Sequence, residues 1–404
     1  MRKKHVFSLF IAVALCLIPA YATESVAPTE SVAQASVLPD TQNAYSALMD
    51  SFGACTISDS PYVYNYPSYY GGSYTKDNVL YVNLTSNDAS IQQEVLAVCD
   101  PYSDVIRFRI VPYSMTDLLT LSREVYDASQ PDVISTYVDE ERNCVVAEVD
   151  ETSEVTAVQL LSNLSATKRK IAYHSDMIVI QQSSGDFIFC DDLPSQEISV
   201  TATQTSDSLD KATYYAYGGS KISDSSRDLG SLGACGTYNT TGVNAFVTAG
   251  HLFNSTGTTV YIGTRSLGTV VKLDKDHDYA IIKSNGNYTL TNRAYLDNTG
   301  VTFRFPGVLD PETGATIQVY GAGTGMSRGE VSRKYVNTGG LYNLIQVNSS
   351  AYGKRPGHGD SGAPVTVGLK MIGTVTGITS ATGYTWYLAP CTSWDGCFSL
   401  KLTD

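Results

Sequence analysis

Positive charge is scarce in this chain. Lys and Arg number 27 against 40 Asp and Glu, which leaves a net charge of −13. Nucleic-acid partners want basic patches, and this balance argues against them. Long apolar runs are scarce too. Past residue 18 no segment is apolar for long enough to cross a bilayer as a helix. Histidine is limited to His5, His174, His251, His277 and His358, so a general base must come from a short list. His251, His277 and the aspartates near them lack a tight ligand spacing, which argues against zinc. No metal or other cofactor is expected. What is plentiful is tyrosine, with 28 residues, alongside Gly, Ser and Thr. That mixture fits a β-rich exported protein. At 404 residues two or three domains are expected, each with its own core.

The most informative stretch is His358-Gly359-Asp360-Ser361-Gly362-Ala363-Pro364. Its glycines suit a tight turn that bulkier residues could not share. Such a turn pushes the Ser361 hydroxyl outward. It can also aim the N–H groups of Gly359 and Ser361 at one point, where a carbonyl oxygen would gather negative charge. Taken alone, a Gly-Ser turn is ordinary. A nucleophilic serine needs a base, usually a histidine oriented by a carboxylate. Ala245 to Gly250 is a short apolar strand that ends at His251. Asp274 to Asp278 is an acidic turn feeding the apolar run Tyr279-Ala280-Ile281-Ile282. Asp278 abuts that run, where a carboxylate can be held away from bulk water. The order is His, Asp, Ser, all in the C-terminal half.

Thr248-Ala249-Gly250-His251, Asp278-Tyr279-Ala280-Ile281 and Gly359-Asp360-Ser361-Gly362 resemble the three catalytic motifs of the chymotrypsin-like serine proteases. The resemblance is to the bacterial secreted branch that includes alpha-lytic protease and the streptogrisins. About 27 residues separate His251 from Asp278 and about 83 separate Asp278 from Ser361, in the chain order of that fold. The resemblance implies an all-β double barrel of two antiparallel six-stranded barrels over residues 213–404, with the active site between them. The many short strands separated by Gly-rich turns, from Ala245 to Leu388, agree with a sandwich or barrel. It implies a serine endopeptidase acting on protein or peptide substrates, with Ser361 as nucleophile, His251 as base, Asp278 as its orienter, and Gly359 and Ser361 as the oxyanion hole. Thr376, Gly377 and Ile378 would bind substrate as an added strand, and the Thr376 hydroxyl would bond the buried aspartate. A catalytically silent binding or adhesion module of the same fold is the alternative, which the intact His251, Asp278 and Ser361 oppose.

Several residues depart from the branch. Leu252 follows the histidine where a cysteine is common, which leaves Cys235 without its usual partner. Cys391 and Cys397 could pair instead, in an export setting where disulfides persist. The branch neutralises the aspartate before the serine with an arginine, and Arg304 and Arg355 are the candidates for Asp360. Lys354, Arg355 and His358 are basic residues near the primary pocket, which leaves room for an acidic substrate side chain.

The first half of the chain reads differently. Met1 to Ala22 resembles a secretory signal, with Arg2, Lys3 and Lys4, a short apolar stretch from Val6 to Ile18, and Ala20-Tyr21-Ala22 as a cleavage site. A secreted, extracellular protein of bacterial origin is expected. Thr23 to about Asn43 reads as a flexible lead-in. Tyr62 to Tyr74 holds six tyrosines and reads as a turn-rich segment with partly buried rings. From Val79 to Gln182 strands and helices alternate, with Asp88 as one helix cap and Ser114 with Asp117 as a capping box for another. Two strands, Val133 to Val138 and Cys144 to Val149, read as a hairpin, and His174 is isolated and read as structural. This α+β pro-domain, about 60–190 within a pro-region 23–212, resembles the pro-region of the alpha-lytic branch. The resemblance implies that it assists folding and inhibits the protease until cleaved. An accessory domain that stays attached is the alternative. The cut is expected between about Thr201 and Tyr217, and a monomer is expected.

Overall fold

The computed structural model describes residues 38–55, 62–164, 173–183, 185–192, 214–295, 302–379, 383–394 and 396–402. The leader at 1–22, most of the lead-in and the linker before Tyr214 lie outside them. The lead-in read through Asn43 ends sooner, because helix α1 spans Asp40–Phe52. Among the described residues, no helix is long and apolar enough to cross a membrane.

Local chemistry sets the N-terminal helices. The Asp88 carboxylate accepts the Ser90 N–H at 2.8 Å and caps α2, Ala89–Val98. The Ser114 hydroxyl accepts the Asp117 N–H and starts α3, Met115–Ala128, whose Leu118, Leu121 and Val125 are buried. Thr156 and Gln159 form a capping box on α4, Ala157–Asn163. The strands Val133–Asp139 and Cys144–Val149 pair antiparallel, and Asn143 takes the left-handed conformation that closes their turn, φ 51°. One apolar cluster holds these elements together, from Ala44 to Ile178, with Tyr335 inserted from the later chain. The tyrosine-rich stretch is part of this core. Tyr66 stacks on Tyr70 at 5.5 Å, and its hydroxyl bonds that of Tyr335 at 2.8 Å.

The second half is nearly all strand. Eight strands pair in the order Asp228–Ser231, Lys221–Ser223, Thr259–Ile262, Arg265–Asp274, Tyr279–Ser284, Val243–Thr248, Ala234–Tyr238 and Phe398–Leu400. Six more form a hydrogen-bonded ring: Thr316–Gly321, Pro364–Val367, Lys370–Thr379, Thr385–Pro390, Leu341–Asn348 and Gly325–Thr338, which pairs back to Thr316–Gly321. Neither sheet stops at the expected six strands. The ring is extended by the N-terminal part: Asn337 and Thr338 pair with Thr136 and Ser135, which brings in Val133–Asp139, Cys144–Val149 and Ile178–Gln182. The longest strand, Gly325–Thr338, carries little apolar signal over its first half, where Val331 is its one large apolar core residue. Its inward positions there include Gly325, Ser327 and Gly329, and a side chain at Gly329 would strike Val347.

Polar groups tie the two halves together. Thr41 donates to Glu312 at 2.8 Å, Arg333 pairs with Glu148 at 2.7 Å, and the Tyr45 hydroxyl donates to Asp310 at 2.8 Å beside buried Lys334. Glu140 sits in the same region, and its carboxylate accepts the Ser73 N–H at 3.4 Å. Burial pushes its pKa from 4.5 up to about 7, against the pull of the Lys334 charge. A carboxyl raised in this way favours the fold only while protonated. Stability is therefore full below about pH 4.5, falls as pH rises through the window to 7, and stays reduced above it. Glu140→Gln should flatten that dependence and add at most about 3 kcal/mol at pH 8. Urea unfolding of the chain at pH 5 and pH 8 checks this. An unchanged slope in the variant would assign the pH dependence elsewhere.

Candidate active site

His251 lies just past the strand Val243–Thr248, and Asp278 just before Tyr279–Ser284, its hydrogen-bonded neighbour. Thr248 is paired with Ala280, so the two strand ends bring the two side chains to the same place. Gly250 makes the close approach possible: a Cβ there would lie 2.7 Å from Asp274 O and 2.8 Å from Tyr279 N. Asp278 is fully buried and takes a left-handed backbone, φ 52°. Its Oδ1 accepts the His251 backbone N–H at 2.7 Å. His251 Nδ1 lies 2.9 Å from Oδ1 and 3.0 Å from Oδ2. The other ring nitrogen, Nε2, is 2.9 Å from Ser361 Oγ. A carboxylate, an imidazole and a hydroxyl thus form one hydrogen-bonded line.

The turn that carries Ser361 is held from both sheets. Gly359 and Gly362 have φ of 83° and 82°. A Cβ on Gly362 would lie 2.1 Å from Thr248 Oγ1 and 2.5 Å from Ser231 O, so only glycine fits beside the histidine strand. Ser231 N donates to Ser361 O at 2.8 Å, and the Ser231 hydroxyl donates to Gly359 O at 2.8 Å while accepting the Ala322 N–H. The N–H groups of Gly359 and Ser361 belong to this clamped turn.

The structure corrects the expectation for Asp360. Its buried carboxylate accepts the N–H groups of Gly357, Gly323 and Thr324 at 2.8–2.9 Å and the Thr324 hydroxyl at 2.5 Å. Burial raises its pKa, and these donors oppose the rise. Arg355 instead donates to the carbonyls of Thr379 and Gly383, and Arg304 is exposed on Thr302–Arg304. Lys354 likewise donates to the carbonyls of Thr324 and Met326. Two of the three basic residues near the pocket are therefore committed to the backbone.

Thr376, Gly377 and Ile378 lie on the strand Lys370–Thr379. The Thr376 hydroxyl is buried with no hydrogen-bond partner among the described residues, so the anticipated bond to Asp278 is not made. The aspartate is held by the His251 N–H instead. The edge of this strand is already filled. Phe187–Phe189 pairs antiparallel with it, with Gly377 opposite Phe189, Ile378 opposite Ile188 and Thr379 opposite Phe187. The Phe189 ring stacks on His251, with centroids 4.2 Å apart. Beside them is a cavity of about 250 Å³ lined by Phe189, Asp192, Arg227, His251, Lys275, Asp278 and Leu341. Ser231, Thr324 and Phe189 carry no local sequence signal for these positions, since each acts on a residue far along the chain. The bridge expected between Cys391 and Cys397 is not formed: their thiols donate to the carbonyls of Met371 and Trp394.

The solved structures that this chain is similar to are bacterial chymotrypsin-like serine proteases. They include Cellulomonas bogoriensis chymotrypsin, at 20% identity over 47% of this chain and 100% of that one, TM-score 0.39. Thermobifida fusca protease A follows at 24% identity over 46% and 98%, TM-score 0.39. The Nocardiopsis protease is 25% identical over 46% and 98%, TM-score 0.40. No protein-family model matches the chain, and no curated protein matches it.

Proposed function

We propose that the chain is a serine endopeptidase, exported and made as a zymogen. The observation that carries this reading is the line from Asp278 through His251 to Ser361, with contacts of 2.9–3.0 Å. Ser361 Oγ attacks the carbonyl carbon of the scissile bond. His251 Nε2 takes its proton and later delivers it to the leaving amine. Asp278 keeps the proton of His251 on Nδ1 and stabilises the imidazolium. The N–H groups of Gly359 and Ser361 face the oxyanion, each donor worth about 3 kcal/mol in the transition state. Substrate adds as a strand along Thr376, Gly377 and Ile378.

The N-terminal part, to about residue 212, acts as the pro-region and keeps the enzyme silent. Phe187–Phe189 fills the edge where substrate would lie. Pairing of Val133–Asp139 onto Gly325–Thr338 supplies a ready template for a sheet dominated by non-local contacts, which folds slowly unaided. The protein works as a monomer.

A fluorophosphonate probe tests the enzyme reading. Labelling at Ser361 in folded protein freed of its N-terminal part is the expected result, and no labelling would point to a silent binding module. kcat/KM should fall as pH is lowered and His251 takes up a proton. A flat profile from about pH 4 to 8 would remove His251 as the base.

A further inference from the structure

Two stretches of chain share one edge of the strand Lys370–Thr379. Pro364 and Val365 lie opposite Thr374 and Gly373, and Gly362 N donates to Val375 O. Farther along the same strand Phe189, Ile188 and Phe187 lie opposite Gly377, Ile378 and Thr379. Both stretches run antiparallel to Lys370–Thr379, so they run in the same direction. Continuing the second register by one residue puts Cys190 opposite Thr376. The next place on the edge belongs to the Ser361-Gly362 turn. The segment that enters the cleft therefore runs toward the Ser361 turn, and Cys190, where the chain leaves the paired register and turns, is its first residue past Phe189.

The side chains agree with that register. Phe189 stacks on the base, His251, whose Nε2 is 2.9 Å from Ser361 Oγ. Cys190 is fully buried, within the apolar cluster that holds Val375, Ile378 and Trp386. The chain then turns over Cys190–Asp192, and Asp192 reaches the cavity that also holds Arg227 and Lys275. Gly377 is shaped to this guest: a Cβ there would lie 2.5 Å from Ile188 O and 2.6 Å from the Phe187 ring.

We propose that the chain cuts itself at the Cys190–Asp191 bond, with the segment from Phe187 to Asp192 as its first substrate. This rests on the protease reading above. Ser361 Oγ bonds to the Cys190 carbonyl carbon, and the bond to the Asp191 nitrogen breaks. The serine proton passes through His251 to the Asp191 amine. Water then attacks the acyl ester, releases the Cys190 carboxylate and restores Ser361. This first cut falls ahead of the 201–217 window and leaves residues 191–212 of the pro-region attached to the catalytic part. The same fit assigns preference: a small uncharged residue on the acyl side, an aromatic residue before it, and an acid two places after the acyl residue, facing Arg227 and Lys275.

The test is intact mass and terminal sequencing of the fragments formed by the full chain, wild type beside Ser361→Ala. The expected result is one fragment ending at Cys190 and another starting at Asp191, both missing from Ser361→Ala. Cys190→Ser keeps this cut. Cys190→Arg slows it at least about 100-fold, because the long charged side chain does not fit a fully buried position packed among Val375, Ile378 and Trp386; an equal rate would overturn the assignment. A first cut elsewhere that still needs Ser361, within 201–217 for example, overturns the assignment and leaves the protease reading standing. A Cys190 cut in both chains alike overturns it too, since another enzyme then makes it. No cut in either chain also overturns it. Fluorophosphonate labelling of Ser361 then tells an active enzyme with an uncut inhibitory segment from a cleft that is silent.

Discussion

Ser361→Ala should lower kcat on a peptide substrate by about five to six orders of magnitude and leave KM within a few fold. Removing Oγ removes the acyl-enzyme route altogether. The substitution touches neither the strand edge at Gly377 nor the clamp that Ser231 makes to the carbonyls of Gly359 and Ser361. Binding therefore survives while chemistry does not. The measurement is steady-state hydrolysis of a chromogenic peptide by both chains after removal of the N-terminal part. A loss of less than about tenfold would mean that Ser361 is not the nucleophile.

Asp278→Asn should cost about four orders of magnitude in kcat. Its physical cause differs. The asparagine carbonyl can still accept the His251 backbone N–H, now 2.7 Å from Oδ1, so the fold of the loop persists. The side-chain amide, however, would present N–H to Nδ1. That pushes the ring proton onto Nε2, which faces Ser361 Oγ and can no longer accept from it. The signature is a fall in kcat with an unmoved unfolding midpoint. Equal losses of stability and activity would make Asp278 a structural residue.

Some of this architecture was legible in the sequence because its determinants are local. Asp88, Ser114 and the turn at Asn143 act within a few residues, and the structure places two helix caps and a hairpin there; the box expected of Ser114 and Asp117 is only half made, since the Asp117 carboxylate accepts the Ser114 hydroxyl instead of its N–H. The run Ala245 to His251 and the run from Asp278 to Ile282 read as strands because their apolar residues are contiguous. Other features depend on partners far away. Asp360 is satisfied by Gly323 and Thr324, which no motif connects to it. Gly325–Thr338 escaped because its inward positions include glycine and serine, which pack by being small. The Thr376 hydroxyl meets no partner among the described residues, because its rotamer is set by packing on a buried strand and not by its neighbours in sequence. The insertion of Phe187–Phe189 has a short aromatic run as its only local mark, and its address is fixed by Gly377 on another strand.

The two places where the N-terminal part is stitched into the ring of strands have one more consequence. Ser135 and Thr136 pair with Thr338 and Asn337, and Phe187–Phe189 pairs with Gly377–Thr379. Stripping away that part leaves two lengths of backbone with their N–H and C=O groups turned to solvent. Such margins are adhesive toward any extended chain. Under the proposed function one of them is the groove where a substrate would lie, so every free copy would be both a blade and a tempting meal for its neighbours. Crowding would turn that into mutual occlusion and then into mutual digestion. A concentrated stock of the freed enzyme should be self-limiting, and the uncut chain is the form suited to storage.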